Sequence, residues 1–105
     1  MGKSTYSVGL CEGRHDIGGV TDGYIFGREV PSNMVTDPDK LEQAAVDRLT
    51  EIGVRKGDDL RLYATGLTVA LIATLNAAGD IGAHVEVWHY DRESGIYYGQ
   101  EVRWL

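Results

Sequence analysis

The sequence has few of the features that mark secreted, membrane-spanning or disulfide-stabilised proteins. Its one cysteine, Cys11, cannot form an intrachain disulfide. No leader of charged, then apolar, then small residues opens the sequence. The longest apolar run is interrupted by Asn76, Gly79 and Asp80, well short of the ~20 residues that span a bilayer. We therefore expect a cytoplasmic protein with no membrane partner.

Positive charge is also scarce. The chain has 10 Lys and Arg against 16 Asp and Glu, which gives a formal net charge of −6. Binding to long nucleic acid depends on neutralising many phosphates with basic side chains, so we expect no partner of that kind. A small anionic ligand remains possible, because the local field of a pocket rather than the net charge decides what it binds.

What the sequence does contain is the ordinary balance of a globular protein, with 43% hydrophobic and 25% charged residues. A chain of 105 residues is long enough for one core and too short for two. We therefore predict one domain over residues 1–105.

Two helices are predicted. Asp37 followed by Pro38 is typical of a helix start, because a carboxylate caps free amides and proline suits the first turn. This helix should run to about Ile52, with Gly53 as a left-handed stop. Its apolar residues share one face at helical spacing: Leu41, Ala44, Ala45, Leu49 and Ile52.

The second predicted helix covers residues 68–78, and Gly79 and Gly82 should end it. It is apolar around nearly its whole circumference, which is typical of a helix buried on more than one side. In so small a protein one side can be a sheet, and the other is covered most simply by a second copy of the chain. We therefore expect a homodimer or a higher homo-oligomer.

Alternation of apolar and polar residues predicts strands over residues 5–11, 60–64 and 84–90. After a loop over residues 91–95, in which Gly95 suits a left-handed position, a last strand is predicted over residues 96–104. Residues 24–26 are a shorter apolar piece, either a brief strand or a packed loop. Strands that alternate with helices favour right-handed crossovers and a parallel sheet. The predicted fold class is α/β, a small Rossmann-like domain with a mainly parallel sheet and a C-terminal β-hairpin.

Ligands of such sheets collect at the carboxyl ends of the parallel strands, where helix N-termini present free amides. This rule selects the loops over residues 12–16 and 65–68, with residues 23–28 less certainly placed. Gly66 would let a ligand approach the backbone, and Thr65 and Thr68 offer hydroxyl donors. Alternatively, Gly66 and Thr68 only form the turn and cap the helix. The loop lacks the lysine of a phosphate-binding Walker loop and the three-glycine spacing of dinucleotide folds.

Charged side chains in the predicted loops add to this candidate site. Arg14, Arg28 and Arg92 are either phosphate partners or solvated surface residues. His15 lies beside Glu12 and Asp16 and is either an acid–base group or an ordinary loop histidine. The histidines and Cys11 lack a zinc spacing, so we expect no metal, no other cofactor and no catalytic constellation.

The last third of the chain is dense in aromatic residues: Trp88, Tyr90, Tyr97, Tyr98 and Trp104. Cross-strand packing in a hairpin explains them most simply. Aromatic rings on an accessible part of the sheet could instead stack on a nucleic-acid base.

The sequence also resembles a known family over residues 59–97. A strand over residues 59–64, a small-residue turn at 65–68, an apolar helix to Asn76 and a strand running into Tyr90-Asp91 resemble the CARF and SAVED sensor domains of prokaryotic antiviral systems. The resemblance implies a Rossmann-like homodimer that holds a nucleotide second messenger, such as a cyclic oligonucleotide. The site residues that it implies are Glu12, Gly13, Arg14, His15, Thr65, Gly66, Leu67, Thr68 and Arg92.

The chain departs from that family in being shorter than most of its sensors and in showing no effector domain. The expectation is therefore a stand-alone sponge that sequesters a defence signal, as phages use, whose ligand is a cyclic oligonucleotide or a cyclic ADP-ribose. One alternative is a metal-independent ring nuclease, in which a ribose 2′-hydroxyl attacks its own phosphate and His15 is the candidate base. A second alternative is a non-enzymatic oligomeric interaction module.

Overall fold

The computed structural model describes residues 3–13, 17–64 and 67–104. Strands β1, β2 and β3 are parallel, β4 is antiparallel to β3, and the strands lie in the sheet in the order β1-β2-β3-β4. This is the small Rossmann-like α/β fold with a C-terminal hairpin that the sequence predicts. The elements in chain order are β1 (Thr5–Gly9), α1 (Pro38–Ile52), β2 (Asp59–Tyr63), α2 (Thr68–Ile81), β3 (His84–Asp91) and β4 (Ile96–Glu101).

Helix α1 begins and ends where its capping residues predict. The Asp37 carboxylate accepts a hydrogen bond from the Lys40 amide at 3.2 Å, and Pro38 is the first helical residue. At the other end Gly53 has φ 113°, a left-handed conformation, and its amide donates to the carbonyls of Leu49 and Thr50. Local chemistry therefore fixes both ends of this helix.

Helix α2 continues past its predicted end at residue 78. Gly79 lies inside the helix, and the left-handed residue that ends it is Gly82, with φ 91°. A glycine inside a helix costs only about 1 kcal/mol relative to alanine, so one glycine does not stop a packed helix. The helix is buried mainly through small side chains: Ala70, Ala73, Thr74, Ala77 and Ala78.

The two helices pack against each other over the same face of the sheet. The core between them and the sheet contains Val8, Leu60, Leu62, Val85 and Val87 from the strands and Ala45, Leu49, Ala77 and Ala78 from the helices. Because successive side chains of a strand point to opposite faces, the intervening residues lie on the other face of the sheet. We call it the second face.

The outer edge of β1 is covered by the segment over residues 21–28. Gly9 donates to the Gly23 carbonyl at 3.1 Å and accepts from the Ile25 amide at 2.9 Å. This segment forms only one parallel bridge, between Gly9 and Tyr24, instead of the possible short strand. Strand β1 ends at Gly9 rather than at residue 11, since the Leu10 carbonyl already accepts a hydrogen bond from the Phe26 amide.

Strand β4 ends at Glu101, so its predicted extension to residue 104 is wrong. The amide of Val102 still donates to the Val85 carbonyl at 2.9 Å. Trp104, however, turns toward the end of α2, where its indole Nε1 donates to the Ala83 carbonyl at 3.2 Å. Its ring lies against Gly79, and this packing draws the chain away from the sheet.

Candidate functional site

The predicted site residues that the structure describes lie around the carboxyl ends of β1, β2 and β3. Glu12 and Gly13 follow β1, and their amides donate to the carbonyls of Gly27 and Arg28 at 2.8 and 2.9 Å. The structure thus joins two of the three predicted loops by backbone hydrogen bonds. Arg14, His15, Thr65 and Gly66 lie outside the described residues.

The N-terminus of α2 lies at the carboxyl end of β2. Its N-cap is Leu67, not Thr68, and Leu67 makes no side-chain capping hydrogen bond. Thr68 is the first helical residue and is exposed. In the part of the chain that is described, no side chain caps this helix end. Amides left without such a partner, together with the helix dipole, favour an anion there.

Arg92 lies in the turn between β3 and β4, with its side chain exposed. The turn is built by Asp91, whose carboxylate accepts from the Ser94 amide at 3.2 Å and from its hydroxyl at 2.6 Å. These hydrogen bonds lower the pKa of Asp91, the hydroxyl contributing most. Gly95 completes the turn with φ 72°, as predicted. The turn is therefore well defined, and Arg92 projects from it.

At the carboxyl end of the second face, strands β2, β3 and β4 contribute four aromatic side chains, which we call the aromatic platform: Tyr63, Trp88, Tyr90 and Tyr97. The rings of Tyr63 and Trp88 stack with centroids 5.9 Å apart, and the rings of Tyr63 and Tyr97 form a T-shaped pair with centroids 5.2 Å apart. Tyr90 and Tyr97 are also 5.2 Å apart. These distances are typical of favourable aromatic pairs.

The platform is covered at one end and open at the other. Tyr63 is buried, and a Cβ atom on Gly19 would overlap its hydroxyl group, so the loop over residues 17–20 lies directly on that ring. Trp88 and Tyr97 are half-buried, and burial is the main cause of the raised pKa of Tyr97. Tyr90 is 51% exposed. The accessible rings therefore lie at the hairpin end of the second face.

The amino end of the second face holds a cleft of about 270 Å³, which we call the polar cleft. It extends over all four strands, from Thr5 on β1 to Glu101 on β4. Its other lining residues are Asp59, Leu60, Arg61, His84, Val85 and Glu86.

Sequence reasoning did not select the polar cleft, although part of the signal is present. Arg61 lies between the buried Leu60 and Leu62, and Glu86 lies between the buried Val85 and Val87. This alternation assigns both charged residues to the face away from the core. The register that sets them beside each other and beside Glu101 depends on strand pairing, which no local pattern encodes.

Other reactive groups are dispersed. His84 lies on the second face, whereas His89 lies on the helix-covered face, where its Nε2 is 2.8 Å from Gln100 Oε1. The described residues include no group of three His, Cys, Asp or Glu side chains that could hold a metal ion. Burial is the main cause of the raised pKa of the Cys11 thiol, and the negative charge of Glu29 raises it further.

No family model matches the chain, and neither a curated protein nor a solved structure is significantly similar to it. Among the described helices, neither is both long and apolar enough to cross a membrane.

Proposed function

We propose that this protein binds a nucleotide second messenger, of the cyclic oligonucleotide or cyclic ADP-ribose type, and sequesters it intact in the cytoplasm. The observation that carries the proposal is the aromatic platform. Its accessible rings lie on the sheet face opposite α1 and α2, at the carboxyl end of the parallel strands. Ligands of α/β sheets collect at that end.

An exposed ring such as Tyr90 offers a π-face on which any base can stack, and such stacking is tolerant of base identity. Arg92 projects from the turn that begins directly after β3, the strand that carries Tyr90. A guanidinium there could pair with a phosphate in bidentate geometry. Platform and turn together supply contacts for the two chemical parts of a nucleotide.

The N-terminus of α2 supports the phosphate half of the proposal. The Ala70 amide donates to the Leu67 carbonyl, so the amides of Thr68 and Val69 are the candidate donors to a phosphate, and the helix dipole adds attraction. Glu12 and Gly13 lie at the same edge of the sheet, and a Cβ on Gly13 would have nothing within 4 Å. The amides of both residues already donate to the carbonyls of Gly27 and Arg28, so this segment would offer space to a ligand rather than amide donors.

Helix α2 also supports the proposed homodimer. Leu67 is 45% exposed and Ile72 is 53% exposed, although both are large apolar side chains. Val69 and Leu75 of the same helix are only half-buried. A second copy packed here would remove this surface from water.

A binding panel tests the proposal. The purified protein is incubated with cyclic dinucleotides, cyclic trinucleotides, cyclic oligoadenylates and cyclic ADP-ribose isomers, filtered, heat-denatured, and the released ligand is analysed by chromatography. Recovery of an intact ligand is the expected result. A linearised product formed with turnover would indicate the ring nuclease instead, and retention of no ligand would leave the oligomeric interaction module.

A pair of tyrosine variants tests the platform itself. Tyr90 is 51% exposed on the second face, whereas Tyr98 is 53% exposed on the opposite face of the same hairpin. Loss of one base–aromatic stack costs about 1–3 kcal/mol, so Tyr90→Ala should weaken ligand binding by about 5- to 150-fold. Tyr98→Ala removes the same ring from the other face and should leave the dissociation constant unchanged. Equal effects of the two variants would place the ligand elsewhere.

A further inference from the structure

The polar cleft differs from the aromatic platform in position and chemistry, and Trp88 borders both. It lies at the amino ends of the parallel strands, where β1, β2 and β3 begin at Thr5, Asp59 and His84. Its volume of about 270 Å³ lies just below the ~300–1,000 Å³ typical of ligand pockets. It is therefore suited to a small metabolite rather than to a nucleotide.

Three charged side chains from adjacent strands line the cleft in one row. Arg61 on β2 is paired in register with Glu86 on β3, and Glu86 is paired with Glu101 on β4. Neighbouring strands lie about 4.8 Å apart, so the backbones at Arg61 and Glu101 are separated by about 10 Å. Glu86 lies between them.

The outer two members of this row carry opposite charges but do not neutralise each other. Within residues 3–13, 17–64 and 67–104, Arg61 makes no ion pair, and its guanidinium carbon lies 5.7 Å from the ring centroid of Trp88. In the same residues Glu101 has no side-chain hydrogen bond or ion pair. By contrast, Asp59 at the margin of the cleft pairs with Lys3 at 3.3 Å.

Trp88 holds two members of the row, Glu86 and Arg61, in place. Its indole Nε1 donates to Glu86 Oε1 at 2.7 Å, while Arg61 lies over its ring. The Glu86 carboxylate also lies over Gly99, where an added Cβ would come within 2.8 Å of its Cδ atom. A carboxylate and a guanidinium fixed by the same indole are arranged before any ligand arrives, which lowers the entropic cost of binding.

We propose that the polar cleft binds a small zwitterion of the amino-acid class. The ligand carboxylate pairs with the Arg61 guanidinium, and the ligand ammonium lies between Glu86 and Glu101. Each contact is a charge-assisted hydrogen bond. Strand pairing places the carboxylates of Glu86 and Glu101 side by side, where they repel each other unless a cation lies between them. The proposal does not depend on nucleotide binding at the opposite end of the sheet.

Calorimetric titration with four probes tests the chemistry. The probes are L-alanine and γ-aminobutyrate, which are zwitterions, together with butylamine and butyrate, which carry one charge each. At least one of the zwitterions should bind more tightly than either singly charged probe. Binding of butylamine as tight as that of both zwitterions would overturn the role of Arg61, and binding of no probe would overturn the site.

Two variants, each with a matched control, identify the contacts. Arg61→Met keeps the aliphatic stem and should weaken zwitterion binding by about 10- to 150-fold, the effect of losing one charge-assisted hydrogen bond. Glu101→Gln should weaken it through loss of the ammonium contact. Arg55→Met and Glu93→Gln change the same charges at exposed positions outside the cleft and should bind as the unaltered protein does.

The fluorescence of Trp88 gives a readout that would not change if the role of Arg61 were purely structural. In a Trp104→Phe background Trp88 is the remaining tryptophan, because the chain has two. A ligand carboxylate that draws Arg61 away from the ring should change the emission of Trp88 in proportion to occupancy. The Arg61→Met variant should show no such change at saturating ligand. An identical change in both proteins would show that the ligand does not engage Arg61.

Discussion

Two acidic residues, Glu42 on α1 and Asp80 on α2, lie close enough between the packed helices to share a hydrogen bond when one carboxyl group is protonated. This hydrogen bond is the largest cause of the raised pKa of Glu42, followed by burial and by the charges of Asp80 and Asp39. A hydrogen bond between two carboxyl groups requires one of them to be protonated. At neutral pH the same two groups therefore tend to repel each other.

The pH dependence of stability follows from this pair. Because the folded pKa of Glu42 lies above its ordinary value of 4.5, the stabilisation is complete below that value and is lost as the pH rises through the folded pKa. Glu42→Gln should therefore raise the Tm at neutral pH, and the gain should shrink on acidification toward about pH 4. Thermal denaturation across this range measures it, with Glu93→Gln as the control for net charge. A gain independent of pH would assign the effect to something other than this pair.

Single residues also mark the limit of what the sequence reveals about the candidate sites. That Arg61 and Trp88 lie away from the core can be predicted, because they belong to strands whose alternate residues are apolar. That Arg61 lies over Trp88 cannot be predicted in this way, since the contact depends on the register of β2 against β3. Aromatic density at residues 88–98 predicts packing in the hairpin, but the division of the rings between two faces becomes clear only once the pairs are known.

At the scale of elements, helix boundaries are predictable where one residue has a strong local role. The start of α1 depends on Asp37, whose carboxylate accepts the Lys40 amide. Asp37→Ala should destabilise the protein by about 0.5–2 kcal/mol, the usual cost of losing an N-cap side chain. Urea denaturation provides the measurement. Asp37→Asn retains an oxygen acceptor and should lose much less, whereas similar losses in both variants would mean that charge rather than capping matters.

Element ends are less predictable where distant packing decides them. Strand β4 is shorter than its pattern predicts because Trp104 packs at the end of α2, far from it in sequence. Likewise, β1 ends early because the Leu10 carbonyl accepts a hydrogen bond from the Phe26 amide instead of continuing the pairing with β2. Neither strand contains a sequence feature that marks its early end. The alternation of apolar and polar residues therefore overestimates the length of both β1 and β4.

At the scale of the whole molecule, the mass of the protein in solution tests the proposed dimer directly. Ile72 is 53% exposed on α2. If a second copy covers it, Ile72→Glu would bury a charge without a partner at the interface and should weaken the dimer at least about tenfold. Light scattering at micromolar concentration should give a dimer mass for the unaltered chain and a monomer mass for the variant. Thr50→Glu adds the same charge on α1 and should leave the dimer intact, and a monomeric unaltered chain would contradict the interface.

The α/β class follows from the alternation of predicted strands and helices, and the structure confirms it. The placement of both helices on one face does not follow from that alternation, because related folds cover both faces of their sheets. It depends on strand order, which a parallel sheet can vary without any change in local sequence pattern. The second face, which carries both candidate sites, is therefore the part of the molecule that the sequence defines least.

The strand order has a consequence for how the chain acquires its structure during synthesis. Each strand lies beside the one that precedes it in the sequence, so no strand has to insert between two that are already paired. As the chain leaves the ribosome, β2 can pair with β1 once α1 has emerged, and β3 can then join the growing edge. Each parallel pairing still joins distant residues, since Thr5 pairs with Asp59 and Asp59 with His84, and non-local pairings of this kind form slowly. The hairpin partner β4 completes the sheet last, and with it the Glu86–Glu101 pair at the polar cleft.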